Sequence, residues 1–249
     1  YLHGLGGIGT FGKIEHYFDG YREGFTKEVD KGVRELGGTN PRQRNKSNQW
    51  VTDWKEEFYR REIKRANGDI WFGVLGVGAY VENNTVKGVV IATPEGKGIV
   101  LAHTIIDSTG SADIAIAAGA KFEYTDGMSV AVQGAGLPSE KLNDICNNTD
   151  WTFIDDTDML DIWRTFVIAK DIYDGYYDIG KLLQTRERRR IVGDYTVSAL
   201  DIYNNRTYED TFSVHISTFD SHGFTEDPFF SLKPPAKQGI KVTAFVPFR

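Results

Sequence analysis

Cysteine is almost missing from this chain: Cys146 is the only thiol among 249 residues. A single cysteine excludes an internal disulfide framework and any metal site built from several thiolates, so no metal site is expected. We expect Cys146 itself to be a quiet, partly buried thiol. The sequence also contains no run of about 20 apolar residues, so it predicts no membrane-spanning helix.

Positive charge is not in surplus either. The chain carries 29 Lys and Arg against 35 Asp and Glu, a formal net charge of -6. Phosphate backbones are bound by basic surfaces, so this balance argues against nucleic acid as the main partner. A small molecule is the partner that we expect, a homo-oligomer is compatible with the sequence, and so is either a cytoplasmic or an exported location.

Several catalytic motifs are missing as well. No H-x-x-x-H, C-x-x-C or G-x-S-x-G pattern occurs, so zinc and serine hydrolases have no support. The letters G-x-G-x-x-G do occur at 4–9, but only three residues precede them and Phe11-Gly12 follow where a helix should continue. We therefore do not interpret this stretch as a phosphate-binding fingerprint, which argues against an enzyme that uses NAD(P) alone.

The elements that the sequence does contain predict an α/β fold. Helices are expected over about 20–36, from about Trp50 to a stop at Asn67-Gly68, and over 157–172. Three strands are expected at 69–82, 86–93 and 98–107, separated by "NNT" and "PEGKG" turns, and form a β-meander. Further strand-like segments lie at 128–136, 189–202, 210–219 and 240–248. We predict two lobes: an α/β lobe at 1–125 and an α+β lobe with antiparallel sheet at 126–249.

The segment 104–115, "TIIDSTGSADIA", is the strongest functional signal. An aliphatic strand is expected to end at Thr109-Gly110 and to be followed at once by a helix that is rich in alanine and packs close to a sheet, with Ser111 as its N-cap. Such a turn presents backbone N–H groups and the positive end of a helix dipole to polar or anionic groups of a nucleotide. The alternative is an ordinary strand–turn–helix connection.

Three further features are candidates for ligand contact. The Gly-rich loop at 3–12 would let a ligand approach the backbone closely, or it is a plain flexible loop. The arginines of "TRERRRIVGDY" would bind a carboxylate or phosphate, or they form a solvated charge run. His215 and His222 flank "ISTFDS", with Asp220 between them, and each is either a proton-transfer group or a structural histidine.

Taken in order, "GLGGIGTFG", the meander, "IIDSTGSADIAIAAGA" and "RERRRIVGDY" resemble the FAD-dependent oxidoreductases of the glutathione-reductase-like fold. The resemblance covers nearly the whole chain. It implies an FAD/NAD(P)-binding-type α/β lobe that is incomplete, plus a substrate-facing cap. The N-terminal strand, the true fingerprint, the ribose-binding acid and the later segment that closes on the flavin are missing, so we expect an internal fragment of a bacterial flavoprotein.

The resemblance also implies roles for single residues. Gly6, Gly7 and Thr10 match a segment that lines the flavin, and Thr109, Gly110 and Asp113 match one that approaches the nucleotide portion of FAD. Arg189 and Arg190 match paired arginines of the cap and are expected to hold a substrate oxyanion or to order the cap. His215 and His222 are expected to assist proton transfer.

Two functions are compatible with these features. The first is an FAD-dependent oxidoreductase in which the flavin takes a hydride from a polar small molecule. The alternative is a non-catalytic α/β binding or assembly module derived from a flavoprotein.

Overall fold

The computed structural model describes the residues 4–12, 15–17, 22–37, 50–124, 132–137, 147–151, 158–172, 182–184, 189–218 and 241–248. Within them the chain forms five α-helices and ten strands. The helices are α1 (Phe25–Gly37), α2 (Thr52–Arg65), α3 (Asp113–Ala117), α4 (Met159–Ile172) and α5 (Ala199–Tyr203). The strands are β1 (Leu75–Glu82), β2 (Thr85–Thr93), β3 (Gly96–Leu101), β4 (Phe122–Tyr124), β5 (Val132–Leu137), β6 (Asn147–Trp151), β7 (Leu182–Gln184), β8 (Arg189–Ile191), β9 (Thr211–Thr218) and β10 (Lys241–Pro247).

The predicted meander is confirmed. Strands β1, β2 and β3 form one antiparallel sheet in sequence order. The first turn consists of Asn83 and Asn84, which have φ values of 49° and 58°. Asparagine tolerates this left-handed conformation better than most residues, and two such residues in succession suit a tight hairpin.

The other described strands also pair antiparallel, as expected for an α+β lobe. They form the sheets β6-β5-β7, β9-β10 and β4-β8. The β4–β8 ladder joins Phe122 to Ile191 and Tyr124 to Arg189, and the amide of Val192 extends it by donating to Lys121 O at 2.9 Å. This ladder crosses the boundary that we predicted at residue 125, and it brings the arginine block next to the end of the first lobe.

A small hydrophobic core lies between α1 and α2. It consists of Val29 and Val33 on α1, Trp50 just before α2 and Phe58 on α2. A Cβ atom on Gly32 of α1 would overlap the ring of Phe58. Glycine is therefore required at 32 because it lets the two helices approach closely enough to bury that ring.

Several predicted boundaries are wrong. The third strand ends at Leu101 and not at Asp107: Ala102 N still donates to Lys87 O at 3.0 Å, but the chain bends at His103 and leaves the ladder. The segment 189–202 is not one strand, since only its first three residues pair and 199–202 begin α5. In the parts that the structure describes, no helix has both the length and the apolar character that crossing a bilayer requires.

Candidate functional site

The side chain of Asp107 organises the bend that precedes α3. Its Oδ1 accepts from Thr109 N at 3.0 Å and from Thr109 Oγ1 at 2.7 Å. Its Oδ2 accepts from Ile114 N at 3.0 Å and from Ala115 N at 2.9 Å. One carboxylate thus ties the bend to the first turn of the following helix.

The hydrogen bonds also set the charge of this carboxylate. Burial alone would raise the pKa of Asp107, but the hydrogen bonds from Thr109 and from the amides of Ala115 and Ile114 outweigh it, and the pKa lies below its ordinary value. Asp107 therefore stays ionised at neutral pH, which is the form that accepts all of these bonds.

This arrangement corrects two expectations from the sequence. The N-cap of α3 is Ala112, with φ 53°, and not Ser111. The amides expected to face a ligand are bonded within the protein, because those of Ile114 and Ala115 donate to Asp107 and that of Asp113 donates to Thr109 Oγ1 at 2.9 Å. A carboxylate at the helix start already fulfils the role that we assigned to a bound nucleotide.

The backbone of the bend nevertheless remains open at Gly110. Its φ is +84°, and a Cβ atom built on it would meet no atom within 4 Å. The glycine therefore serves the left-handed conformation and leaves a bare backbone surface at the bend. A ligand could lie against this peptide without displacing any side chain.

Asp113 and Arg189, which the sequence assigns to the cofactor and to the substrate, form an ion pair. Asp113 begins α3 and Arg189 begins β8, so the pair joins the bend to the arginine block. The guanidinium also lies 6.0 Å from the centroid of the Phe122 ring. A guanidinium has five N–H donors, so others remain to bind a second oxyanion beside Asp113.

Arg190 does not act together with Arg189, since adjacent residues of a strand point to opposite faces of a sheet. It lies across from Glu123, at 3.9 Å, and both side chains are largely exposed. An exposed pair of this kind contributes little to stability. The neighbouring Arg186, Glu187 and Arg188 lie outside the described residues.

The Gly-rich loop folds as a single 3-10 turn over Gly7–Gly9. Thr10 is buried inside it, where its hydroxyl donates to Leu5 O. Trp50 fixes the loop, because its indole Nε1 donates a hydrogen bond to Gly9 O at 2.8 Å. Gly6 has φ +94°, and a Cβ there would come within 2.7 Å of the Thr10 methyl carbon.

Gly7 is a point of this loop with open space beside the backbone. Its φ is +55°, and a Cβ built on it would meet no atom within 4 Å. Gly7 and Gly110 therefore share the feature expected at a ligand-binding backbone, a glycine in the left-handed region with open space beside it. Thr10, which the resemblance matches to a segment that lines the flavin, has its side chain facing the loop interior, where it holds the loop in shape.

The two predicted catalytic histidines are placed differently. His215 lies in β9, opposite Ala244 of β10, and its side chain is exposed. His222 lies outside the described residues, as do Asp220 and Cys146. Of the predicted site residues, the structure brings two sets together: Asp113 pairs with Arg189, and Gly6, Gly7 and Thr10 share one loop. Neither set includes a predicted catalytic histidine.

A polar network follows the arginine block. Asp201 caps α5 together with Ser198, and it also accepts from Tyr195 Oη at 2.7 Å and from Arg206 Nη1 at 3.1 Å. Hydrogen bonds from Ser198 and Tyr195 hold the pKa of Asp201 well below its ordinary value. The guanidinium of Arg206 lies between two rings, 5.2 Å from Tyr195 and 5.3 Å from Tyr208. We interpret this network as structural.

The sequence did not reveal two residues of the site. The aliphatic run before Asp107 predicts the end of a strand there, although a carboxylate two residues before Thr-Gly can also bond the following amides. The position of Lys55 in a polar helix predicts a surface residue, but its side chain is buried beside the Gly-rich loop. Its sequence neighbours give no signal of this burial.

Comparison with known proteins identifies a family. The family described as FAD dependent oxidoreductase matches residues 4–174, which include both the Gly-rich loop and the bend at Gly110. No curated protein and no solved structure gave a significant match. The family match defines the class of protein as a flavin-dependent oxidoreductase.

The chain belongs to the FAD-dependent oxidoreductase family. Its cofactor is accordingly FAD, and its substrate is a small molecule. Arg189, Arg190, His215 and His222 lie beyond the matched residues, so the family match carries no information on them.

Proposed function

We propose that the chain is a flavoprotein of the glutathione-reductase-like fold in which FAD lies against the bend at Thr109-Gly110 and against the loop at Gly6-Gly7. The open backbone at Gly110, held in place by Asp107, is the observation that carries this proposal. When bound, FAD supplies the group that accepts a hydride, and the protein positions the substrate and excludes competing reactions.

The described residues fit a dinucleotide by their shape. Gly7 and Gly110 each leave open the volume that a Cβ would fill, so a ligand can approach either backbone closely. Gly6 and Thr10 would hold the first loop, and Thr109 and Asp113 the second. Asp113 would act through its ion pair with Arg189 and not as a direct ligand of the cofactor.

We further propose that the substrate is a polar alcohol or a sugar-like molecule held by the lobe that follows β4. Arg189 would bind an oxyanion or hydroxyl of the substrate with the donors that Asp113 leaves free. Arg190 would order the surface of this lobe, and His215 or His222 would take the proton that leaves a substrate hydroxyl as the hydride is transferred. The location of Arg189 next to the bend supports this assignment.

The first test is the absorption spectrum of the purified protein mixed with FAD and freed of excess cofactor. We expect retained flavin absorbance, and bleaching under anaerobic conditions when an oxidisable polar alcohol or sugar is added. A colourless protein that releases no flavin on denaturation would refute the proposal.

Variants separate the proposed roles in the same assay. Arg189→Lys keeps the charge but loses the planar donor geometry, so we expect KM to rise about tenfold with little change in bound flavin. His215→Gln and His222→Gln test proton transfer, and we expect the relevant one to lower the rate of bleaching about a hundredfold. His103→Gln, at an exposed histidine outside these segments, is the matched control and should leave the rate unchanged.

A further inference from the structure

The side chain of Lys55 is buried beneath the Gly-rich loop with its charge unbalanced at close range. Lys55 lies in the first turns of α2, and only 6% of its surface is exposed. Among the residues that the structure describes, no carboxylate lies within ion-pair distance of Nζ. The nearest contacts are aromatic: Nζ is 3.2 Å from the centroid of the Trp50 ring and 5.1 Å from that of Tyr17.

The ammonium group lies next to the backbone of the loop. A Cβ atom built on Gly9 would lie 3.6 Å from Lys55 Nζ, at ordinary van der Waals distance. Trp50 connects the two parts, because its ring contacts the ammonium while its Nε1 donates to Gly9 O at 2.8 Å. The ammonium group of Lys55 therefore lies next to the loop that we propose as a ligand site.

The surrounding titratable groups do not neutralise the charge of the Lys55 ammonium group. Asp30 of α1 acts on Lys55 at longer range, but its carboxylate already accepts from Tyr17 Oη at 3.2 Å and from Arg22 Nη2 at 3.3 Å. The loop residues 4–12 carry no titratable side chain. The adjoining segments also carry Glu15, His16, Asp53, Glu56 and Tyr59, in addition to the other charged residues of α1 and α2.

An isolated cation away from water is unfavourable unless it finds a counter-charge or loses its proton. Burial lowers the pKa of Lys55 to about 8, while Asp30 opposes that shift. The amine is therefore close to losing its proton near neutral pH. An anion placed beside it would restore the charged form.

We propose that Lys55 and the Gly-rich loop form a binding site for an anionic group of the ligand. The group is an oxyanion, which a phosphate of FAD or a carboxylate of a substrate could supply. This inference rests on the proposed function only for the first of these sources.

The sign of the pH dependence follows from linkage. Anion binding favours protonated Lys55 and raises its pKa, so binding takes up a proton when the free amine is neutral. Affinity is then highest below about pH 8 and falls as the pH rises through that value. From about pH 7 to about pH 9, the protonated fraction of a group with this pKa falls about tenfold, and so does the expected affinity.

The test is a pH titration of tryptophan fluorescence, which reports Lys55 because the ammonium lies on the Trp50 ring. Wild type should show a transition near pH 8 that is missing in Lys55→Met. Inorganic pyrophosphate and acetate, added separately, identify the source of the oxyanion: whichever is bound should move the transition to higher pH. FAD should do the same if its phosphate is the group.

Binding measurements with Lys55→Arg complete the design. Arginine stays charged over this range. The Lys55→Arg variant should therefore bind the anion that shifts the wild-type transition without the tenfold loss of affinity between about pH 7 and about pH 9. The Lys55→Met variant should bind the same anion weakly at both pH values. Circular dichroism checks that both variants fold. The inference is overturned if none of FAD, pyrophosphate and acetate shifts the wild-type transition, or if Lys55→Met binds as wild type does.

Failure of the inference differs from failure of the proposed function. Flavin that wild type and Lys55→Met bind equally well, with no pH dependence, excludes a phosphate of FAD as the anion and leaves the flavoprotein assignment intact. A protein that binds no flavin but whose transition is shifted by acetate or pyrophosphate keeps the anion site and loses the flavin assignment.

Discussion

Asp107→Asn is expected to weaken FAD binding by about a hundredfold, the equivalent of about 3 kcal/mol. The carboxylate accepts four hydrogen bonds, two from Thr109 and one each from Ile114 and Ala115. An asparagine side chain has only one oxygen, so its NH₂ group must face donors on one side. The bend and the first turn of α3 would then separate, and the open backbone at Gly110 would lose its fixed position. The measurement is FAD affinity by flavin fluorescence at neutral pH.

Asp158→Asn is the matched control for this prediction. Asp158 also uses its carboxylate at a helix start, where Oδ1 accepts from Leu160 N at 2.8 Å at the beginning of α4. This change should cost about 1 kcal/mol or less and leave FAD affinity unaltered. Equal FAD affinity in Asp107→Asn and wild type would show that the bend does not depend on this carboxylate.

Gly32→Ala is expected to lower the free energy of unfolding of the α1–α2 unit by about 1–3 kcal/mol. Alanine favours a helix over glycine by about 1 kcal/mol, so propensity alone predicts the opposite sign. The added methyl would overlap the buried ring of Phe58 and force the two helices apart. Chemical denaturation followed by circular dichroism measures the change.

Two further variants test whether the loss of stability comes from overlap with the Phe58 ring. Lys31→Ala, at an exposed neighbour on α1, should change stability by less than about 0.5 kcal/mol. Combining Gly32→Ala with Phe58→Leu removes the ring atoms that collide, so the double variant should lose less than the sum of the two single changes. A Gly32→Ala protein as stable as wild type would contradict the close helix packing.

Sequence patterns predicted the parts of the fold that depend on near neighbours in the chain. Alternating apolar residues and the Asn83-Asn84 turn were enough for the meander, and the stop at Asn67-Gly68 is confirmed because α2 ends at Arg65 and Asn67 has φ 57°. The third strand is shorter than predicted because aliphatic character continues past Leu101, while a strand also needs a paired neighbour.

The site was harder to predict, since its contacts join residues far apart in sequence. Arg189 meets Asp113 across 76 positions, and Trp50 meets Gly9 across 41. The carboxylate that accepts from the first amides of α3 belongs to Asp107, seven positions before Ile114, whereas sequence rules look for such a side chain next to the helix. Glycine content directed attention to both loops, but only the three-dimensional arrangement separates open glycines from those that permit close packing.

The central claim, that FAD rests on the open backbone at Gly110, is tested most directly by the FAD affinity of Gly110→Ala compared with Gly96→Ala. Both glycines have positive φ, +84° and +134°, and a Cβ at either would meet no protein atom within 4 Å. Because +134° lies further from the left-handed region that L residues adopt, Gly96→Ala should cost at least as much backbone strain as Gly110→Ala, so strain alone predicts no greater effect at Gly110. We predict at least about a tenfold loss of FAD affinity for Gly110→Ala and none for Gly96→Ala. Wild-type affinity in Gly110→Ala would contradict the claim.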